Sequence, residues 1–116
     1  MRYYFTIFDM KVPRIPPQMD ALKWLIKVVA SMGFIVETYA QKAFLPPVPG
    51  NAYTIAAVLS ESHAVIHTVP EDSWVEVVFA LCKEVPPGKL LEKVREFWEP
   101  SEVDIKTFTG QPPGEV

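Results

Sequence analysis

The chain has 116 residues, 11 basic against 14 acidic side chains for a net charge of −3, and 49% hydrophobic residues. That length and apolar fraction fit one packed domain and exclude disorder throughout, since too much apolar surface would be left in water. The mild acidity and the lack of a basic cluster argue against general nucleic-acid binding, and no stretch near 18 residues is free of charges and turn formers, which argues against a membrane helix. An Asp follows the first apolar run, MRYYFTIFDMKVPR, with no small-residue cleavage site, which argues against a secretory signal. A single Cys cannot form an internal disulfide, and the expectation is a cytoplasmic protein.

Twelve prolines mark the joints. Tyr3 to Asp9 is aromatic and β-branched and predicts a strand; Pro13, Pro16 and Pro17 form a stiff connection after it. From Met19 to Met32 the residues Leu22, Leu25, Ile26 and Val29 recur at helical spacing, with Lys23 and Lys27 on the other side. Asp20 suits the first turn of that helix and Gly33 its stop. Phe34 to Tyr39 predicts a second strand, and Gln41 to Asn51, with three prolines and a glycine, a loop. Tyr53–Ser60, Ala64–Val69 and Trp74–Leu81 are three further strands, the last apolar on both faces except at Glu76. A second helix spans Lys89 to Trp98 and Pro100 closes it. Val103 to Phe108 is the last strand, and the final residues predict a frayed tail.

The predicted class is α+β: a two-layer sandwich of one mostly antiparallel sheet with two helices on one face, in the order β-α-β-β-β-β-α-β. The second face of such a sheet needs a cover, and a second copy of the chain supplies one. The expected particle is a homodimer with its sheets face to face and its active sites near the interface.

Both histidines fall between Glu61 and Val69, in Glu61-Ser62-His63 and Ile66-His67-Thr68. Residue by residue, this reads as a surface hairpin with polar side chains alternating with Ala, Val and Ile. Two histidines and one Cys without paired spacing do not make a zinc site, and no metal is expected. Ser60 and Ser62 lack the flanking glycines of a hydrolase nucleophile elbow.

Taken together, Glu61-Ser62-His63, Ile66-His67-Thr68, Pro70-Glu71 and a Cys twenty residues after Ser62 resemble the proenzyme of S-adenosylmethionine decarboxylase in its small bacterial and archaeal form. Thr54, eight residues before Ser62, and Phe44-Leu45-Pro46 extend the resemblance backward, so that it covers nearly the whole chain. It implies one domain over residues 1–116 that cleaves itself between Glu61 and Ser62, giving chains 1–61 and 62–116. In that chemistry the Ser62 hydroxyl attacks the Glu61 carbonyl, and elimination leaves a pyruvoyl group. Thr54 and His67 polarise the carbonyl and move protons. The pyruvoyl ketone forms a Schiff base with the amine of a small-molecule substrate, most simply S-adenosylmethionine, and takes the place of pyridoxal phosphate. Cys82 matches the proton donor of the family, since a thiol of ordinary pKa about 8.5 can protonate a carbanion near neutrality. Glu71 would accept bonds from ribose hydroxyls and Phe44 would stack on adenine. The biological role so implied is spermidine, and hence polyamine, biosynthesis.

Taken alone, Cys82 reads as a small buried hydrophobe, Glu71 as a turn carboxylate and Phe44 as a loop anchor. If Ser62 to His67 were one continuous strand, their side chains would point to opposite faces, so the chemistry calls for a turn or bulge near Ser62-His63. The chain departs from the family pattern at Val69, where Trp is usual, at Lys83, where Gly is usual, in a longer loop over residues 46–53, and in lacking the family's N-terminal glycine and histidine. Two alternatives follow: a pyruvoyl-dependent decarboxylase of arginine or another basic amino acid, or a binding or regulatory paralogue that does not cleave.

Overall fold

In the computed structural model, which describes residues 2–44 and 51–114, six strands form one antiparallel sheet in the order β2-β3-β4-β5-β1-β6. They are β1 (Tyr3–Lys11), β2 (Val36–Ala43), β3 (Tyr53–Leu59), β4 (Ser62–Val69), β5 (Trp74–Leu81) and β6 (Glu102–Gly110). Helices α1 (Gln18–Ser31) and α2 (Pro87–Trp98) cover one face. The predicted element order and the two-layer α+β architecture are therefore those of the structure. Alternation explains which side chains enter the core. Phe8, Met10, Ile55, Ala57, Ala64, Ile66, Val75, Val77 and Phe79 face the helices and are buried. They meet Leu22, Leu25 and Val29 of α1 and Leu90, Val94 and Trp98 of α2. Trp24 stacks on Phe97 at 5.3 Å and meets Trp98 edge-on at 5.7 Å, which locks the helices to each other.

Several boundaries differ from the predicted ones, each for a local reason. Gly33, at φ 86°, ends α1. The Gly33 N–H then bonds to the Ala30 carbonyl and the Phe34 N–H to the Val29 carbonyl, a Schellman arrangement that leaves β2 to begin at Val36 rather than Phe34. Gln41 to Ala43, predicted as loop, continue β2 because they pair with Ile55, Thr54 and Tyr53. Tertiary pairing overrides their weak strand propensity. Residues Leu45–Gly50, and with them most of the proline loop and the Leu45-Pro46 half of Phe44-Leu45-Pro46, lie outside the described residues. α2 starts at Pro87, because a first-turn position has no need of the missing N–H. β6 runs on to Gly110, beyond the predicted end at Phe108. Of the predicted frayed tail, Gln111–Gly114 follow β6 without regular structure, and Glu115 and Val116 lie outside the described residues.

β5 sits between β4 and β1, where both its edges are paired. Its helix-facing residues Val75, Val77, Phe79 and Leu81 are buried, whereas on its other face only Ala80 is, with Trp74 and Val78 partly covered. The face away from the helices is open. It presents Phe5, Ile7, Val58, Val65, Val69, Trp74, Val78 and Phe108, with Val58 and Phe108 about half exposed at 47% and 55%.

Candidate active site

β3 and β4 join through a hairpin in which Leu59 pairs with Ser62, so that Ser60 and Glu61 form a two-residue loop. Glu61 has φ 63°, the left-handed region that a non-glycine residue enters at a cost of about 1–2 kcal/mol. The turn therefore falls at Ser60-Glu61, two residues earlier than the Ser62-His63 position the chemistry called for, and β4 is continuous from Ser62 onward. The Glu61-Ser62 peptide leaves that left-handed residue directly.

Ser62 is buried on the helix side, and its Oγ accepts a hydrogen bond from the Cys82 backbone N–H at 2.9 Å. Cross-strand pairing produces this contact: His63 stands opposite Ala80, which sets Ser62 beside Leu81 and Glu61 beside Cys82. Cys82 is a half-buried free thiol. Glu61, Ser62, His63 and Cys82 share a pocket of about 290 Å³ with Arg2, Tyr3 and Phe5. Tyr3 and Phe5 meet edge-on with ring centroids 5.4 Å apart. Gly110 makes room for that wall, because a Cβ there would lie 2.5 Å from the Tyr3 ring.

Thr54 and His67 form a second group. They are direct cross-strand partners, and Thr54 Oγ1 lies 2.8 Å from His67 Nδ1, which leaves Nε2 as the other nitrogen able to exchange a proton. The His67 ring meets Trp74 edge-on at 6.0 Å. Just beyond this pair, Thr68 is buried and replaces the next ladder bond. Its Oγ1 accepts from the Tyr53 N–H at 2.9 Å and donates to the Asn51 carbonyl at 2.7 Å. The Thr of Ile66-His67-Thr68 is thus a structural plug that fixes where the Thr54–His67 pair stands. Glu71 lies in a 3-10 turn, Pro70–Asp72, immediately after β4, and Phe44 follows β2 with its N–H bonded to the Ala52 carbonyl at 2.9 Å.

The residues singled out in the sequence therefore fall at two ends of one hairpin. Glu61, Ser62 and Cys82 stand at the turn end; Thr54, His67, Glu71 and Phe44 stand at the other. Ser62 and His67 face opposite sides of the sheet, and five residues of strand, roughly 16 Å at ~3.3 Å each, separate them. The pocket residues Arg2, Tyr3 and Phe5 were not singled out in the sequence. The alternation of YYFTIF places residues 3, 5 and 7 on one face but does not say which face carries the pocket.

The α+β sandwich thus presents a Ser behind a left-handed residue at a hairpin turn, with a thiol just past the end of the neighbouring strand. A model of the family described as S-adenosylmethionine decarboxylase matches residues 17–110. The chain belongs to that family. It is 31% identical over 84 residues to an S-adenosylmethionine decarboxylase proenzyme of Methanococcus maripaludis (strain C7), a match covering 72% of this chain and 66% of that one, just under two thirds of the relative's length. The proenzyme of Clostridium botulinum (strain Hall) is 29% identical over 91 residues, 77% of this chain and 78% of that one. The crystal structure of the adenosylmethionine decarboxylase from Aquifex aeolicus VF5 aligns with a TM-score of 0.76 at 18% identity, covering 100% of this chain and 96% of that one, a likeness of fold.

Proposed function

We propose that this chain is a proenzyme of one domain that cleaves itself between Glu61 and Ser62, into chains 1–61 and 62–116, and then decarboxylates S-adenosylmethionine for polyamine synthesis. The observation that carries the reading is the placement of Ser62 Oγ against the Cys82 N–H, directly after a residue held at positive φ.

In the first step Ser62 Oγ bonds to the Glu61 carbonyl carbon and the Glu61–Ser62 C–N bond breaks, giving an ester and a free amine. Removal of the Ser62 α-proton then expels the Glu61 carboxylate and leaves dehydroalanine, and water replaces its nitrogen as ammonia. Negative charge sits on Oγ as its proton leaves before the attack, and again as the Cβ–Oγ bond breaks in the elimination. The Cys82 N–H at 2.9 Å supports that charge both times from a fixed position. A serine is required because one oxygen must be both nucleophile and leaving group.

Protons must move within hydrogen-bond reach, about 2.6–3.2 Å. His67, held by Thr54, is too far along β4 to serve the Ser62 of its own chain. The pair sits on the open apolar face, so a second copy packed sheet to sheet about a two-fold axis perpendicular to the strands lays one copy's Thr54–His67 end over the other's pocket, which opens on that face beside Phe5 and His63 and is lined at its end by Glu61 and Ser62. The same dimer buries Phe5, Val65, Val78 and Phe108. It also carries Glu71, for ribose hydroxyls, and Phe44, for an adenine ring, toward the partner's pocket.

The pyruvoyl group derived from Ser62 supplies an electron-accepting carbonyl for the substrate amine, so that loss of CO₂ needs no pyridoxal phosphate. Its origin fits the site, since Ser62 and Cys82 line one pocket with Tyr3 and Phe5. Cys82 returns a proton to the substrate α-carbon. Intact mass under denaturing conditions tests the reading. Two chains are expected, the second blocked at its N-terminus and altered by borohydride. A chain that stays whole after prolonged warming overturns it.

A further inference from the structure

We propose that Glu37 is a positioning residue for self-cleavage, holding the hairpin turn in its reactive shape through Ser60; the proposal rests on the self-cleavage reading above. Two features of the backbone lead to it. Val36 pairs with Leu59 and Thr38 with Val58, so the register shifts and Glu37 is the extra residue of a β-bulge. A bulge leaves its extra residue unpaired and re-aims the side chain. Here the Glu37 carboxylate accepts a hydrogen bond from the Ser60 hydroxyl. The Ser60 N–H also donates to the Ile35 carbonyl at 3.0 Å. The first residue of the cleavage loop is thus tied to the start of β2 by backbone and side chain together.

The second residue of the loop, Glu61, has φ 63° and owns the carbonyl to be attacked. A non-glycine residue held there relaxes unless its surroundings prevent it. Ser60, tied to Glu37, holds the scissile peptide on one side, and Ser62 Oγ, bonded to the Cys82 N–H, holds it on the other. Loss of the Glu37 tie frees Ser60 and Glu61 to populate loop shapes without the left-handed residue. The fraction of molecules in which Oγ lies over the carbonyl carbon then falls, and the cleavage rate falls by the same factor. Glu37 takes no proton and touches no reacting atom.

The test follows precursor disappearance in the full chain, made by cell-free synthesis, quenched at intervals and resolved by denaturing gel. Glu37→Ala is expected to slow cleavage about fivefold to tenfold, the rate equivalent of one solvent-exposed hydrogen bond of ordinary net strength. Glu37→Gln keeps an acceptor and is expected to cleave close to the unsubstituted rate. Ser60→Ala should match Glu37→Ala, and the double variant should be no slower than either, since both remove the same bond. Thermal unfolding in a Ser62→Ala background, which keeps every chain whole, should show Glu37→Ala still folded with at most the small shift of one exposed hydrogen bond, and fully cleaved Glu37→Ala enzyme should turn over normally. Glu37→Ala cleaving at the unsubstituted rate, Glu37→Gln as slow as Glu37→Ala, multiplying effects in the double variant, or an equal loss of turnover after cleavage each overturn the positioning role. An unsubstituted chain that never cleaves overturns the proposed function itself, and the same gel shows it.

Discussion

The separation of Ser62 from Thr54 and His67 sets up a decisive complementation experiment. Ser62→Ala removes the nucleophile and His67→Ala the proton-moving ring, so neither variant alone should cleave. Within one protomer the two sites are five residues apart on a continuous strand and on opposite faces, roughly 16 Å against a hydrogen-bond reach of about 3 Å. In a mixed dimer, the intact Ser62 of the His67→Ala chain meets the intact His67 of the Ser62→Ala chain. Co-expression with distinguishable tags yields mixed dimers as roughly half of all dimers, each with one competent bond, so roughly one quarter of all chains should cleave. The cleaved chains should all carry the His67→Ala tag. Mass spectrometry of the denatured mixture reads both the fraction and the tag. No cleavage in the mixture, while unsubstituted chains cleave, refutes the shared site. Cleavage of the Ser62→Ala chain refutes the role of Ser62.

Three further outcomes are expected. Cys82→Ala should cleave but decarboxylate about 10²- to 10⁴-fold more slowly, because the Ser62 hydrogen bond uses the Cys82 backbone and only the proton donor is lost; steady-state turnover on the fully cleaved variant measures this. Gly110→Ala should raise KM and leave cleavage unchanged, since a Cβ 2.5 Å from the Tyr3 ring displaces the pocket wall without touching Glu61 or Ser62. Tyr53 is buried with its hydroxyl donating to the Pro16 carbonyl at 2.7 Å, and burial first, then the nearby Asp20 charge, push its pKa well above the ordinary value near 10. The folded state holds that proton more tightly than the unfolded state. Stability from this group is therefore full below about pH 10 and falls above it by up to ~1.4 kcal/mol per pH unit, a loss that denaturant melts should show flattened in Tyr53→Phe.

Much of the fold is legible in the sequence because its signals are local. Leu22, Leu25, Ile26 and Val29 announce α1, and the aromatic and β-branched runs announce the strands. What is not legible is set by partners distant in the chain. Gln41 to Ala43 carry no strand signal and are extended only because β3 is beside them. The order β2-β3-β4-β5-β1-β6 inserts β1 between β5 and β6, pairings that join the first strand to strands far along the chain. Alternation along a single strand is blind to that choice.

The candidate site divides along the same line. Ser62, His67, Thr54 and Cys82 stand at spacings that the sequence displays, yet spacing along a chain does not say whether four side chains converge. Two cross-strand registers decide it. Pairing of His63 with Ala80 brings Ser62 to Cys82, and pairing of Thr54 with His67 makes a dyad at the far end of β4 on the face opposite Ser62. A two-residue period then makes the outcome unavoidable: positions 62 and 67 have opposite parity, and a regular strand sends them to opposite faces. Had the turn fallen within Ser62-His63, the parity would have changed, though the length of strand between the two would still hold them apart. Because it falls at Ser60-Glu61 instead, the chain keeps its nucleophile beneath the sheet end and its histidine on the open apolar face. The two are joined most directly by a second copy that covers that face. On the proposed reading, the separation of Ser62 from His67 within one chain and the uncovered apolar face of the sheet are answered by the same pairing of two copies.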